Sequence, residues 1–241
     1  MLAIPILLFL LCLGICRWAS GRFAEMWQQG SRERVPTAHT GAEMARLFLN
    51  FEGVNDVEIL PHEGVVTNYY DPARKRLFFS REVFEGTTMA AWTLALHEAG
   101  HAAQEGEALD ELKWRQSVIK LNRYVPTLAA VLAVGGMVLL RFPARLALIG
   151  LLALCLAILL LNLGTLSVEM RANAGLRKFL AKHLAKWPSA QEKLEGYLHR
   201  AATREVGDLL NSPRYFLFTA MPGSGTSRPV KKTEDSDLEA S

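Results

Sequence analysis

Cysteine is scarce in this chain, three residues in 241, and Cys12, Cys16 and Cys155 all fall inside apolar runs. That placement makes them poor disulfide partners or metal ligands and fits a reducing compartment. A strong excess of one charge is also missing, because the formal net charge is only +3. No basic stripe is interleaved with aromatic residues, so nucleic acid is not an expected partner. The first residues lack a basic n-region and a small-x-small cleavage site, and neither Cys12 nor Cys16 follows the small residue of a lipoprotein signal. Residues 1–20 therefore read as a retained membrane anchor and not as a removed signal peptide. No internal repeat is visible.

Apolar sequence is abundant instead. Half of the residues are hydrophobic and the mean hydropathy is +0.13, although 21% are charged. The apolar residues must therefore be concentrated. They fill 1–16 (MLAIPILLFLLCLGIC), 125–140 (VPTLAAVLAVGGMVLL) and 144–166 (ARLALIGLLALCLAILLLNLGTL). A bilayer core of roughly 30 Å takes about 20 helical residues, which the third run supplies. The second is short alone, but "RFPAR" makes a tight reversal and Arg141 can snorkel, so 125–166 reads as a transmembrane helical hairpin. Arg17, Arg22, Arg32 and Arg34 follow the first run, Lys113, Arg115, Lys120 and Arg123 precede the second, and Arg171, Arg177 and Lys178 follow the third. Only Arg141 and Arg145 occupy the turn of the hairpin. The positive-inside bias places 17–124 and 167–241 in the cytoplasm, with the lipid bilayer as one partner.

The water-exposed parts carry their own signals. Residues 40–52 open with Thr40 three before Glu43, the spacing of a capping box, and stop at Gly53, which predicts an amphipathic helix. The β-rich runs "VEIL" (57–60), "VVTNYY" (65–70) and "RLFFS" (76–80) follow, with "DPARK" as a turn between the last two, and predict a small antiparallel sheet. Beyond Thr87 or Thr88 as cap, "MAAWTLALHEAGHAAQ" is a run of strong helix formers. Residues 175–210 read as polar helix, and 222–241 as a disordered tail by composition.

On that central helix stands "HEAGH", residues 97–101. Positions i and i+4 share a helix face, so His97 and His101 can aim imidazole nitrogens at one ion while Glu98 points partly aside. This is how a zinc hydrolase is built: the ion lowers the pKa of a water toward roughly 7 and the carboxylate takes its proton. Three fixed positions recur by chance on the order of once per hundred chains of this length, so a third ligand has to be found. Glu107 stands six residues past His101, where one protease class has its third ligand, but that class needs a glycine where this chain has Gln104. Glu105 lies a further turn along and points beyond such an ion. His183 and His199 stand alone in polar helical surroundings that suit solvated histidines.

Glu169 is preferred. It ends the third apolar run, an expensive place for an uncompensated charge, and two crossings between His101 and Glu169 return the chain to the same face. The alternative is an interfacial carboxylate paired with Arg171. Asn173, one turn on, can hold the outer nitrogen of an ion-bound imidazole, or be an ordinary polar helix residue. Tyr70, beside Tyr69 and Asp71, could donate to an oxyanion, a contact of about 3 to 4 kcal/mol, but such residues are also ordinary hairpin chemistry. The "RLFFS" strand offers an edge along which an extended peptide can lie.

Taken in order, "TGAEMARLFL", "NYYDPARKRLFFS", "LALHEAGHAAQ", a hydrophobic hairpin and "SVEMRANAGL" resemble, over residues 40 to 175, the YugP-like neutral zinc metallopeptidases, a family of small membrane proteins. The resemblance implies a gluzincin arrangement, with His97, His101 and Glu169 holding one Zn²⁺ and Glu98 as catalytic base. It implies an α+β fold, mainly helical and membrane-anchored. A zincin-like region at 36–124 carries the small antiparallel sheet, the hairpin spans 125–166, and a helical region at 167–215 carries the third ligand. "EMRAN" also resembles the ExxA(D) signature of membrane proteases of the CaaX-processing and heat-shock type, with Asn173 in place of the aspartate. Family members usually have another hydrophobic helix near the C-terminus, where "HRAATREVGDLLNSPRYFLF" is here interrupted by charges and Pro213. The expected protein is an endopeptidase of the bacterial inner (plasma) membrane, acting on peptide or protein substrates at the cytoplasmic face. The same ligands would serve a catalytically inactive zinc-binding membrane scaffold or adaptor, the alternative reading.

Overall fold

A computed structural model describes residues 3–62 and 68–213. The expected tail at 222–241 and the first part of the 65–70 run lie outside the described residues.

The helices are α1 (Ala3–Gly30), α2 (Gly41–Phe51), α3 (Arg81–Phe84), α4 (Met89–Ala102), α5 (Glu107–Leu139), α6 (Ala144–His183) and α7 (Pro188–Ala202), followed by a 3₁₀ segment, Arg204–Asn211. Helix α2 starts as its sequence demands. The Thr40 hydroxyl accepts from the Glu43 amide at 3.2 Å and the Glu43 carboxylate accepts from the Thr40 amide at 2.8 Å, satisfying two otherwise orphaned donors. The chain leaves α2 through Gly53 at φ +78°, a conformation that costs glycine nothing. Met44, Ala45, Phe48 and Leu49 are buried, and the Phe48 ring meets Phe179 of α6 edge-on at 5.4 Å.

Helix α4 is the centre of the molecule. Thr88 caps it, its hydroxyl accepting from the Ala91 amide at 3.2 Å, and every residue from Met89 to Ala102 is buried. A helix that is apolar nearly all round belongs in a core, and α4 packs against α1, α2, α3, α6, α7 and the sheet. Its approach to α6 is unusually close. A Cβ at Gly100 would stand 2.4 Å from the Ala172 carbonyl oxygen, so only glycine lets the two backbones come this near.

The sheet corrects one expectation. Strands β1 (Glu58–Pro61), β2 (Tyr69–Asp71) and β3 (Arg76–Phe79) lie in the order β1-β3-β2. The β2–β3 hairpin is antiparallel as expected, with Asp71 Oδ1 accepting from the Ala73 amide at 3.0 Å in its turn. Strand β1, however, pairs with β3 in parallel. Two chain reversals point β3 the same way as β1, and β3 enters between the other two instead of adding at the far edge. The "RLFFS" strand is therefore central, paired on both sides, and not an edge for a peptide; Leu77, Phe78 and Phe79 are buried there.

The apolar hairpin forms the distal parts of α5 and α6, but both helices continue well past it without a break. The turn between them passes through Arg141 at φ 53°. Val138, Leu139 and Leu140 expose 72%, 81% and 81% of their surface, a display suited to lipid and not to water. Among the described residues three stretches, Ile6–Gly30, Glu107–Leu139 and Ala144–His183, are long and apolar enough to cross a membrane. The 3₁₀ segment is not a further hydrophobic helix. It wedges against α1 and α6, where Val206 and Leu209 join Cys12, Cys16, Ala19, Ile158 and Leu159 in a second small core.

Candidate metal centre

One turn of α4 sets His97 above His101, with ring centroids 5.0 Å apart. The close α4–α6 contact at Gly100 then delivers Glu169 from the other helix. Its Oε2 lies 3.0 Å from His97 Nε2 and 3.3 Å from His101 Nε2. All three residues are buried, and their candidate ligand atoms lie within 4.8 Å of one another.

The outer nitrogens fix what the inner ones offer. Asn173 donates its amide N–H to the Leu198 carbonyl of α7 at 2.9 Å, so its Oδ1 faces His97 Nδ1, at 3.0 Å. Gln104 likewise donates to the Val168 carbonyl at 3.2 Å and turns its Oε1 to His101 Nδ1, at 3.3 Å. An amide oxygen can only accept, so each Nδ1 carries the proton and each Nε2 presents a lone pair. Burial lowers the pKa of His97, against the opposing pull of Glu98 and Asn173. His101 is held well below its ordinary value by burial, Arg115 and His97. Both rings are thus neutral, and two imidazole lone pairs and a carboxylate oxygen point at one buried spot. Three acceptors without a donor repel one another unless a cation lies between them.

Zinc suits this donor set. Ligands on a tetrahedral ion at about 2.0–2.1 Å stand about 3.3 Å apart, close to the two separations seen here, and three protein ligands with an open fourth position are typical of catalytic sites. Glu98 is 7% exposed, and its charge acts on both imidazoles and on Arg115. Among the described residues, no hydrogen-bond partner engages its carboxylate.

The other candidates lie elsewhere. Arg171 pairs with Glu111, not with Glu169. Glu105 and Glu107 are exposed, and Glu105 falls beyond the end of α4 instead of continuing it. The ring of His183 packs on Phe179 at 4.1 Å, while His199 lines a cavity of about 270 Å³ between α6 and α7 whose wall also includes Asn173. Tyr70 is buried in the core, and the charges acting on its phenol are those of Lys75, Asp56 and Asp71 in and beside the hairpin. Among the described residues, no hydrogen bond joins that phenol to His97, His101 or Glu169.

Two site residues escaped the sequence. From sequence, Gln104 stands out only as a missing glycine, although its place three after His101 is a usable signal. From sequence, Arg115 is one of the basic residues flanking the hairpin, yet it is 6% exposed and ion-pairs with Glu169 Oε1.

Residues 5–215 match the family described as "Putative neutral zinc metallopeptidase". The chain belongs to this family. It is also similar to the protein called "Putative membrane protease YugP" from Bacillus subtilis (strain 168), 32% identical over 176 residues, which are 73% of this chain and 76% of that protein. No solved structure matches it. The family match is wider than the 40–175 read from the motifs, since it takes in most of α1 and the whole 3₁₀ segment. With its long apolar helices, the chain is a membrane protein of a zinc metallopeptidase family.

Proposed function

We propose that the protein is a membrane-anchored, zinc-dependent endopeptidase in which His97, His101 and Glu169 hold one Zn²⁺ and Glu98 is the general base. The observation that carries this reading is the convergence of three buried lone pairs on one point beside Glu98. Bound zinc supplies Lewis acidity, which lowers the pKa of water and polarises a scissile carbonyl. Glu98 takes the proton of the attacking water and then passes it to the departing amine. Asn173 and Gln104 keep the imidazoles in the tautomer that offers Nε2 inward. The soluble regions 36–124 and 167–215 form the peptidase body around α4, and residues 1–20 and the hairpin 125–166 anchor it. The distribution of basic residues supports a site at the cytoplasmic face of a bacterial inner membrane.

Glu98→Gln tests the assignment. The variant is expected to keep stoichiometric zinc and to lose at least about 100-fold in peptide cleavage, the ordinary contribution of a positioned general base. Cleavage at the parental rate would remove Glu98 from the mechanism. Stoichiometric zinc in a parent protein that cleaves no member of a broad peptide library would favour the scaffold reading.

A further inference from the structure

The carboxylate of Glu169 has two oxygens facing two ways. Oε2 faces both imidazoles, while Oε1 is turned to the opposite side, against Nε of Arg115 on α5. The same guanidinium reaches back to Glu205, whose Oε1 lies 3.7 Å from Nη2. Arg115, Glu169 and Glu205 are 6%, 1% and 8% exposed, so a cation is held between two carboxylates away from water. Desolvating such groups is costly and is offset only where the geometry is maintained.

The maintenance comes from the C-terminal 3₁₀ segment. Ser20 of α1 donates its hydroxyl to the Gly207 carbonyl at 3.2 Å. A Cβ at Gly207 would stand 2.2 Å from that hydroxyl oxygen and 3.0 Å from the Cys16 carbonyl oxygen, so the segment lies flush on α1 with no side chain between. A second pair, Arg123 with Asp208 at 3.6 Å, ties the segment to α5 again, about two turns along that helix. Helix α1, the 3₁₀ segment, Arg115 and Glu169 form one continuous chain of contacts.

We infer that Arg115 and Glu205 are positioning residues of the metal centre. The guanidinium pins Oε1 of Glu169 so that Oε2 alone is offered to a divalent ion, and the 3₁₀ segment holds Arg115 from behind through Glu205. A ligand carboxylate left free to rotate would present either oxygen, or both, and would have to be ordered by the ion itself. The 3₁₀ segment, the described part of the charge-interrupted C-terminal run, thereby becomes part of the site. The inference rests on His97, His101 and Glu169 being the zinc ligands.

The test uses the full chain in detergent, stripped of metal and titrated with zinc against a chromophoric chelator, with cobalt loaded separately for its visible absorption bands. Arg115→Met is expected to weaken zinc about 10–100-fold, the usual effect of losing a partner behind a ligand, and Glu205→Gln, which acts through Arg115, by a smaller factor above about twofold. Arg115→Met should also change the cobalt bands, and Arg115→Lys should recover part of the affinity. Glu205→Gln keeps the size of the side chain, so it decides the matter even where Arg115→Met does not fold. Zinc affinity within about twofold of the parent in a folded Glu205→Gln protein, with unchanged cobalt bands, overturns the inference. His97→Ala separates the two readings. If it abolishes zinc binding while Glu205→Gln does not, only the positioning role falls; if His97→Ala binds zinc like the parent, the ligand set falls and the positioning role with it.

Discussion

A neutral histidine buried beside a carboxylate is an unusual residue, and His97 and His101 are two of them. In both, burial holds the pKa below the ordinary histidine value. The unfolded chain titrates near about 6.5, so on acidification it binds protons before the folded chain does. Stability is therefore full above that pH and falls as the pH drops toward the lowered folded-state values. The metal-free protein should show a melting temperature that is flat above neutrality and declines below pH ~6.5, and His101→Asn should shallow that decline. A melting temperature unchanged between neutral and mildly acid solution would mean that the rings are not held neutral by the fold. Zinc affinity of the folded protein should weaken only further down, as the pH falls through the lowered folded-state values, because protonated imidazole cannot ligate.

At the scale of elements, the site is a crossing of two helices, and its spacing is set at Gly100. Helix propensity favours alanine over glycine by about 1 kcal/mol in a helix interior. Here the sign should reverse, because the added methyl would sit 2.4 Å from the Ala172 carbonyl oxygen and α6 would have to move away. Gly100→Ala should destabilise the fold by about 1–3 kcal/mol, the range for an overpacked core. It should also lower zinc affinity, since Glu169 and Asn173 ride on the displaced helix. Thermal unfolding and chelator competition measure the two effects, and a more stable variant would show that the contact has slack. The same crossing explains what the sequence made legible. His97, Glu98 and His101 follow from helical periodicity alone, as does the Thr40–Glu43 cap. Glu169 needed the topology of the hairpin as well. Arg115 and Glu205 were out of reach, because their role depends on which faces of α5 and the 3₁₀ segment turn inward, and a basic residue near an apolar run looks the same whether it faces lipid headgroups or a buried carboxylate. The parallel β1–β3 pairing was hidden for a like reason: strand pattern specifies a pleated face but not which neighbour slides in beside it.

For the whole molecule, the governing feature is that α6 is both long and apolar enough to cross a membrane and the source of a ligand candidate. Glu169 stands three residues past the apolar run that ends at 166, about 4.5 Å along a helix axis. In the proposed reading the centre sits at the level where the hairpin leaves the lipid, so that a substrate would be presented close to the bilayer surface. On which side it must be presented depends on orientation. Arg145 at the hairpin turn and Lys186 after α6 are both exposed and mark opposite ends of that helix. In intact bacterial cells, Arg145→Cys should react with a membrane-impermeant maleimide, whereas Lys186→Cys should react only once the inner membrane is opened. The native thiols provide the background, with Cys12 and Cys16 buried inside the protein. The reverse pattern would turn the face that bears the candidate metal centre outward. It would leave the site geometry untouched, while overriding the bias of the basic residues and requiring a substrate from the other side of the membrane.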